Sequence, residues 1–444
     1  MTINHILFKN LFFLALGVRG EGYRKEIRLF EDSQYFRPEE QRRYQLERLN
    51  NLLTASQDTA YYQGKVPSSV SSLAALSAMP LLEKDDIRDN PNAFMRTKRP
   101  NQRLKTSGGS TGAPVTILKD SAGVAREMAA SWRGYHWAGV QEGDRQARFW
   151  GLPKSRKDRV RAGLIDFIAN RKRISAFGYD QKSLESALVS LEKFQPDYFY
   201  GYTSIMSELA RYIIKTGKSP MLNLKSVITT AEVLSEVDRQ DIELAFNTKV
   251  FDEYGCGEVG TIAHQCEHGS MHVNSENLII EVLDANGEPA PPGEAGEIVL
   301  TDLTNLSMPL IRYRIKDFAT LSTEPCGCGR TLPVLEKIHG RQYDILTNRA
   351  GKKFHGEFFL YILEDARKVG LNPTGIQFLQ TKDLNITVNV VIEQRDFPEL
   401  EHYITRRIYD DFDQEITVHV KQVENIQREP SGKLRVVKVD DRPN

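Results

Sequence analysis

The sequence predicts an α/β fold, with a large domain of helix-covered sheets and a β-rich subdomain, followed by a small α+β domain. Strand and helix patterns alternate over roughly 150 residues in the middle of the chain, which is typical of a mostly parallel sheet covered by helices. From Ser270 to Leu321 the pattern changes to short strands separated by turns. Beyond this region, helical and strand patterns alternate again in a last segment of about 100 residues.

The chain length of 444 residues is expected to hold two or three domains. We expect a large domain over 1–340 and a small C-terminal domain over 341–444. Within the large domain, the part over 1–100 reads as helices, because segments such as EEQRRYQLERLNNLLTAS carry apolar residues at helical spacing. The β-rich subdomain is expected at about 262–338.

The middle of the chain alternates helices and strands. The predicted elements are, in order, the helix Asp120–Val140, the strand ARFWG, the helix KSRKDRVRAGLIDFIANRKR, the helix SLESALVSLEKFQ, the strand PDYFYGY, the helix TSIMSELARYIIK, the strand KSVITTAEVL, the helix SEVDRQDIELAF and the strand KVFDEYG. Thr203 or Ser204 is expected to cap the helix TSIMSELARYIIK. Because ligands collect at the carboxyl ends of parallel strands, we expect the ends 201–202, 229–232 and 253–258 to line a site.

Charge and hydropathy exclude some classes of protein. Lys+Arg and Asp+Glu are equal at 59 each, so the net charge is zero, which argues against a protein whose main partner is nucleic acid. No apolar run reaches membrane-spanning length. We therefore expect a cytoplasmic protein without a membrane span, and an oligomer such as a dimer is an open alternative to a monomer.

Two segments allow an alternative interpretation. The apolar N-terminal segment ILFKNLFFLALG is broken by Lys9 and Asn10, and it predicts a helix packed on the body rather than a signal peptide. The alternative is an interfacial anchor, which would give peripheral association with a membrane. The segment Lys154–Arg173 carries eight Lys and Arg residues, which predicts a solvated helix face or, alternatively, a basic rim that attracts an acidic substrate.

The glycine-rich stretch TSGGSTGAP, from Thr106 to Pro114, packs three glycines and four hydroxyl residues into one loop. Backbone N–H groups in such a turn form a concave anion site, and hydroxyl groups add donors without bulk. The loop therefore suits the phosphates of a nucleotide, whereas the alternative is a flexible surface turn. It lacks the Gly-Lys-Ser/Thr ending of a kinase-type P-loop.

The four cysteines all lie in one region of the chain, which favours metal binding over disulfides. Cys266, Cys326 and Cys328, together with one histidine, make a tetrahedral zinc set filled by protein, so the zinc would be structural. The candidate histidines are His264, His268 and His272, and the alternative is a group of reduced buried thiols. Cys256 lies apart, inside YGCGE, and is interpreted as a small pocket-lining residue.

The motifs TSGGSTGAP, AGVQEGD, TTAE, YGCGE, RYRIKD, HGR and PSGK follow one another from about Arg103 to Lys438. This ordered set resembles the adenylate-forming acyl/aryl-CoA synthetase superfamily, in particular its phenylacetate–CoA ligase-like branch, which includes members in capsular polysaccharide biosynthesis. The resemblance implies that a carboxylate attacks the α-phosphate of ATP to give an acyl-adenylate and pyrophosphate. An acceptor, coenzyme A or an amine, then displaces AMP. The small C-terminal domain is expected to be mobile.

The resemblance also implies a role for individual residues. The expected ATP- and AMP-binding residues are Thr106, Ser107, Gly108, Gly109, Ser110, Thr111 and Gly112 in the phosphate loop, Ala231, Glu232, Tyr254 and Gly255 near adenine, and Asp317 at the ribose hydroxyls. The expected catalytic residues are Glu258, which would bind Mg²⁺, Arg341 near ribose and phosphate, and Lys433 at the α-phosphate. For the zinc set, the resemblance favours His272.

Four positions depart from the family pattern: Val115, Gly257, Lys316 and Tyr343. Val115 stands after the loop where the family often has lysine, and Gly257 stands where it usually has threonine, so a hydroxyl group is missing. Lys316 stands where glycine is usual, and Tyr343 stands at the expected hinge, where aspartate is usual. The expected cofactors are ATP, Mg²⁺ and structural Zn²⁺, with coenzyme A as one candidate acceptor. The expected substrate is a small-molecule or glycan carboxylate. The alternative function is a non-catalytic scaffold that retains the fold in a glycan or lipid assembly.

Overall fold

The computed structural model describes residues 3–18, 22–96, 102–106, 115–152, 156–176, 181–341, 346–351, 353–354, 357–426 and 436–439. The chain divides into two compact units, Met1–Ile338 and His339–Asn444. Mixed helices and large sheets confirm the α/β fold class predicted from the sequence. No helix in the described ranges combines the length and the apolar character needed to cross a bilayer.

The helices are α1 (Ile3–Val18), α2 (Tyr23–Ser33), α3 (Pro38–Ser56), α4 (Lys84–Asp89), α5 (Pro91–Phe94), α6 (Ser121–Trp137), α7 (Arg156–Ile168), α8 (Gln181–Phe194), α9 (Thr203–Thr216), α10 (Glu236–Phe246), α11 (Glu357–Lys368) and α12 (Phe397–Asp411). A short 3₁₀ helix covers Leu73–Ala78. Local chemistry explains where several of them begin. Asp120 caps α6 by accepting a hydrogen bond from the Gly123 N–H, at 2.7 Å.

The strands are β1 (Arg103–Thr106), β2 (Thr116–Lys119), β3 (Gln146–Trp150), β4 (Arg171–Ser175), β5 (Tyr198–Tyr202), β6 (Ser226–Thr230), β7 (Val250–Cys256), β8 (Gly260–Gln265), β9 (Met271–Val273), β10 (Leu278–Leu283), β11 (Ala295–Asp302), β12 (Tyr313–Leu321), β13 (Val334–Arg341), β14 (Leu346–Thr347), β15 (Lys353–Phe354), β16 (Gly375–Gln380), β17 (Ile386–Val391), β18 (Val418–Gln422) and β19 (Val437–Val439). Eleven of them form one sheet with the order β10-β11-β12-β13-β9-β8-β7-β6-β5-β3-β4.

This large sheet has a parallel part and an antiparallel part. β4, β3, β5, β6 and β7 pair in parallel. From β7 onward the pairs β7–β8, β8–β9 and β10–β11 are antiparallel. The strands expected as a β-rich subdomain therefore extend the edge of the parallel sheet, because short turns connect them without a crossover helix.

The two faces of the parallel part are covered by different helices. Apolar side chains of α8, α9 and α10 pack on one face, and residues of α6 pack on the other. Gly201 in β5 has φ +147°, and a Cβ there would lie 2.1 Å from the Phe149 carbonyl oxygen. A Cβ at Gly134 of α6 would lie 2.3 Å from the His264 ring, so the absence of a side chain lets α6 approach β8 closely.

The expected cap of α9 is wrong. Its N-cap position is Tyr202, and neither Thr203 nor Ser204 caps it with a side chain. Instead, the Glu232 carboxylate accepts a hydrogen bond from the Ser204 N–H at 2.7 Å, so a residue from the next strand end satisfies the helix N-terminus.

The C-terminal unit has a four-stranded sheet with the order β18-β17-β16-β19. Strands β16 and β17 are antiparallel, whereas β19 joins β16 and β18 joins β17 in parallel. Buried residues of α11 and α12, including Phe359, Ile362 and Ile404, pack with those of the sheet into a core of its own. A second small hairpin pairs β14 with β15.

Candidate active site and metal cluster

A cavity of about 460 Å³ opens between α6 and the sheet face that α6 covers. Its wall includes Trp132 and Tyr135 of α6, Arg148 of β3 and Tyr200 of β5. Side chains of β1 and β2, residues of α1 and the end of α7 complete the wall. The volume falls within the usual range for small-molecule sites.

The hairpin β1–β2 brackets the predicted phosphate loop. The strands pair Thr106 with Thr116, so the two ends of the loop lie side by side. Ser107, Gly108, Gly109, Ser110, Thr111 and Gly112 lie outside the described residues, and of Thr106 only the backbone is described. The structure therefore places the base of the loop next to the cavity, because Lys105 and Lys119 line that cavity.

Positive charge at the base of the loop comes from two lysines that sequence reasoning missed. Lys119 Nζ lies 2.9 Å from Glu127 Oε2, and Lys105 contacts the other oxygen of the same carboxylate. Burial opposes ionisation of Glu127, but the two ammonium groups outweigh it and hold the pKa below its usual value. Val115, which stands where the family has a basic residue, is buried in the apolar core. The signal that could have found Lys105 is the basic segment KRPNQRLK, which ends at Lys105 directly before the loop.

Two of the predicted nucleotide-binding residues come together across β7 and β12. The Tyr254 hydroxyl donates a hydrogen bond to Asp317 Oδ2 at 2.6 Å, and Asp317 is buried. A Cβ at Gly255 would lie 2.5 Å from the Gly260 carbonyl oxygen, so glycine is needed for the close turn from β7 to β8. Lys316 adopts a left-handed conformation with φ +62°, which is the kind of position that glycine suits.

Ala231 and Glu232 follow β6, at the carboxyl ends of the parallel strands. Ala231 also has a left-handed backbone, with φ +69°. The Glu232 carboxylate is engaged at the start of α9, as described above. The hydrogen bond from the Ser204 N–H therefore fixes the Glu232 side chain before any adenine is bound.

Glu258, the predicted magnesium ligand, is buried in the turn between β7 and β8. Lys84 Nζ lies 3.4 Å from its Oε1, and the Tyr313 hydroxyl donates to the same oxygen at 3.3 Å. Sequence reasoning missed Lys84, because it lies in the helical part far from the motif. Proteins usually hold Mg²⁺ with one or two carboxylates plus substrate phosphates, so a single buried carboxylate such as Glu258 fits this ion. In this structure the Lys84 ammonium group already balances the charge of the Glu258 carboxylate.

Cys256 is a neutral thiol at the same place. Burial raises its pKa to about 12, and the Glu258 and Asp317 carboxylates add to the rise. A nucleophilic cysteine needs a lowered pKa, so this thiol is not suited to be one. Cys256 packs against the apolar core and is not part of the cavity wall described above, so its interpretation as a pocket-lining residue stays a prediction.

Two arginines, Arg148 and Arg171, give part of the cavity wall a positive charge. The Arg148 guanidinium lies 4.8 Å from the Trp150 ring centroid and 5.1 Å from that of Tyr200. Within the described part of the chain, the Nε atoms of Arg148 and Arg171 are buried without a hydrogen-bond partner. Burial and the neighbouring Arg148 lower the pKa of Arg171 to about 10. Arg148 was not predicted from the sequence, which showed it only as one residue of a buried strand. Arg171 lies in the segment Lys154–Arg173, for which a basic rim attracting an acidic substrate was the alternative interpretation.

A second cluster unites four residues that are distant in sequence. The ligand atoms of Cys266, His272, Cys326 and Cys328 all lie within 4.8 Å of one another. The Cys266 and Cys326 sulfurs are 3.7 Å apart, and His272 Nε2 lies 3.3 Å from Cys328 Sγ. His272 Nδ1 lies 3.2 Å from the Leu332 carbonyl oxygen, so it donates there and leaves Nε2 to face the sulfurs.

The competing histidines lie elsewhere. His264 is fully buried beside Tyr135 and Trp137, and burial lowers its pKa to about 4. His268 is exposed near Gly327. Neither belongs to the group of potential metal-binding side chains in the described ranges.

The remaining predicted catalytic residues are not positioned. The backbone of Arg341 lies in β13, but its side chain is outside the description. Lys433 and Tyr343 also lie outside the described residues.

Comparisons with known proteins bear on these observations. A family model described as CapK C-terminal domain matches residues 362–440. Protein CapK of Staphylococcus aureus is 28% identical over 283 residues, which cover 63% of this chain and 61% of that protein. A phenylacetate–coenzyme A ligase of Aromatoleum evansii is 27% identical over 432 residues, which cover 91% of this chain and 95% of that protein.

Coverage differs among the relatives. The match spans less than two thirds of the length of two relatives: 61% of CapK and 65% of a phenylacetate–coenzyme A ligase of Thermus thermophilus. Among solved structures, 2-hydroxyisobutyryl-CoA ligase in the postadenylation state, in complex with R3-HIB-AMP, superposes with a TM-score of 0.72 at 18% identity, covering 92% of this chain and 91% of that one. The resemblance drawn from the motifs is thereby confirmed: the chain is similar to phenylacetate–CoA ligases and to CapK, and it has the fold of the adenylate-forming CoA ligases.

Proposed function

We propose that the protein is an ATP-dependent ligase that activates a carboxylic acid as its acyl-adenylate and transfers the acyl group to coenzyme A or an amine. The observation that carries this proposal is the hydrogen bond from Tyr254 to Asp317. It joins two motifs 63 residues apart, and it holds a carboxylate at the strand edge where a nucleotide is expected.

The proposed reaction has two steps. A carboxylate oxygen of the acid attacks the α-phosphorus of ATP, and the bond to the β-phosphate oxygen breaks to release pyrophosphate. The acceptor thiol or amine then attacks the acyl carbon, and AMP leaves with the electron pair of the broken C–O bond. Charge develops on phosphate oxygens in the first step, so fixed positive charges favour it.

The described residues supply much of what these steps need. Asp317 has two carboxylate oxygens, which suit the two ribose hydroxyls, and Tyr254 orients it. Lys105 and Lys119 supply positive charge at the base of the phosphate loop. Glu258 is the residue that would hold Mg²⁺, and the bound ion would neutralise phosphate charge. Arg341 and Lys433 are proposed as further catalytic residues on the resemblance alone.

The wall of the cavity supports a substrate class. Trp132, Tyr135 and Tyr200 offer aromatic surface, whereas Arg148 and Arg171 offer half-buried guanidinium groups with buried Nε atoms. We therefore propose an acid whose acyl part carries a polar or anionic substituent beside an apolar ring face, which includes sugar acids. A role in polysaccharide biosynthesis would fit this class, and it rests on the resemblance.

A structural zinc ion is proposed at the cysteine–histidine cluster. Tetrahedral zinc with Zn–S bonds of about 2.3 Å places two sulfurs about 3.8 Å apart. The observed separation of Cys266 and Cys326 sulfurs is 3.7 Å. The ion would join the β8–β9 region to the segment after β12, and it would leave no open position for a substrate.

One observation favours the alternative of a non-catalytic scaffold. Lys84 already neutralises Glu258, the carboxylate that catalysis would need for Mg²⁺. A pyrophosphate-release screen decides between the two functions. It uses millimolar ATP, Mg²⁺ and a panel of aryl, hydroxy, sugar and dicarboxylic acids, with and without coenzyme A.

Release with any acid removes the scaffold alternative. Loss of that release in an Asp317→Asn variant that still folds supports the proposed site. Release by the wild-type chain that survives this substitution would contradict the role given to Asp317. No release with any acid, together with no ATP binding by calorimetry, overturns the proposed function.

A further inference from the structure

Two neighbouring helices carry an unusual share of the exposed apolar surface. Ile6, Leu7, Leu14 and Val18 of α1, together with Val160, Leu164, Ile165 and Phe167 of α7, are eight of the seventeen exposed large apolar side chains in the described residues. The helices are in contact, since the Phe8 and Phe167 rings meet edge to face at 5.8 Å. We call these eight residues the α1–α7 face. Exposed apolar side chains grouped on two touching helices in this way mark an interaction site.

On α7 the apolar residues form a stripe. Val160, Leu164 and Phe167 follow the i, i+4, i+7 spacing, so they share one side of the helix. No residue of α7 is buried, and Val160 is 71% exposed. The stripe therefore contributes nothing to the core, although leaving it in water is costly.

Basic residues surround this stripe. Arg156, Lys157, Arg159 and Arg161 are all exposed in the first two turns of α7, against the single acidic residue Asp158. The chain as a whole has no net charge, so this concentration is local. An apolar stripe bordered by Lys and Arg is the pattern of a helix that lies in the interface of an anionic membrane.

The charge decides between occupants. In a twofold dimer the same patch meets itself, so the basic residues of both copies would come together. A lipid surface with anionic headgroups accepts the apolar stripe between its headgroups and attracts the basic border. Neither α1 nor α7 has the length and apolar character to span a bilayer, so the contact is with the surface.

We propose that the α1–α7 face binds the surface of an anionic membrane, with the apolar side chains inserted at the headgroup level and the basic residues of α7 on lipid phosphates. This proposal does not depend on the proposed ligase activity.

The test is co-sedimentation of the full chain with vesicles. One set contains phosphatidylcholine and phosphatidylglycerol in equal parts, and the other contains phosphatidylcholine alone. The expected result is binding to the anionic vesicles that weakens with added salt. Val160→Asp/Leu164→Asp and Arg156→Glu/Lys157→Glu should each lower the affinity by about tenfold or more.

Leu244→Asp is the matched control, because Leu244 is 72% exposed on α10, away from the face. It should bind as the wild type does, and thermal melts monitor the folding of every variant. Failure of the wild type to bind anionic vesicles overturns the proposal. Binding that survives Val160→Asp/Leu164→Asp overturns it too. A dimer by light scattering that this variant converts to a monomer would assign the face to a second copy instead.

Discussion

A buried ion pair between α6 and the segment before β10 should contribute strongly to the stability of the large unit. Arg133 of α6 and Glu276 are both fully buried, and Nη2 of the arginine lies 3.2 Å from Oε2 of the glutamate. The Ser33 hydroxyl of α2 also donates to Glu276, at 2.6 Å, and Arg133 donates to Asn274 at 2.6 Å. The network ties α2 and α6 to the segment before β10.

Glu276→Gln removes the negative charge and leaves a buried guanidinium without its counterion. Breaking such a pair costs about 3–5 kcal/mol. With an unfolding entropy of about 2.1 cal/mol/K per residue, the unit ending at Ile338 has roughly 0.7 kcal/mol/K. The expected fall in Tm is therefore about 4–7 °C.

Differential scanning calorimetry measures this change. Glu185→Gln is the matched control, because it removes the same charge from the exposed pair with Lys218, and it should leave Tm almost unchanged. The reasoning would be refuted if Glu276→Gln lowered Tm no more than the control does.

Three further predictions concern the candidate site, the metal cluster and the N-terminal helices. Tyr254→Phe removes one hydrogen bond to the Asp317 carboxylate, worth about 1.5–3 kcal/mol, so kcat/KM for ATP should fall by roughly 10- to 150-fold in the pyrophosphate assay. Purified protein should hold about one zinc ion per chain by atomic absorption, and Cys326→Ser should abolish it and lower Tm. Burial opposes ionisation of Glu142, but hydrogen bonds from His136 and Tyr23 outweigh it and lower its pKa to about 2. Because the pKa of Glu142 is depressed in the folded state, its stabilisation is complete above the ordinary pKa and is lost as the pH falls toward 2. In urea melts, Glu142→Gln should therefore lose less free energy of unfolding than the wild type between about pH 5 and pH 2.

Each of these predictions has a control or a contrary outcome. Tyr61→Phe is the control for Tyr254→Phe. It removes a long hydrogen bond of 3.4 Å from the Tyr61 hydroxyl to Asp86 of α4, and it should leave the ATP kinetics unchanged. Cys256→Ser lies outside the cluster and should keep the zinc, so equal zinc content in this variant and Cys326→Ser would argue against the ligand set. A pH dependence of Glu142→Gln that matches the wild type would remove the role given to that carboxylate.

The sequence predicted the fold class well, because its evidence is local. Strand and helix periodicity is set by neighbouring residues, and β5 and β6, which the pattern placed in the parallel sheet, are buried along their whole length. The cap of α9 was missed because it comes from Glu232, which is 28 residues from the Ser204 N–H that it accepts from. Periodicity carries no information about such a partner.

The candidate site shows the same division. Motif order named Tyr254 and Asp317, and the structure joins them. Motif order could not name Lys84 or Lys119, because each becomes relevant only through a carboxylate that folding brings to it. Arg148 was hidden for a similar reason, since a charged residue in a buried strand shows its role only once the cavity is formed.

The two-sided position of α1 has a thermodynamic consequence. Phe8 and Phe12 line the cavity, while Leu7 and Leu14 of the same helix point outward. A ligand that binds in the cavity and changes the free energy of α1 changes the affinity of the protein for a bilayer by a certain factor. By reciprocity, the bilayer changes the affinity of the protein for that ligand by the same factor. Substrate titrations with and without vesicles would therefore measure one coupling constant from two directions.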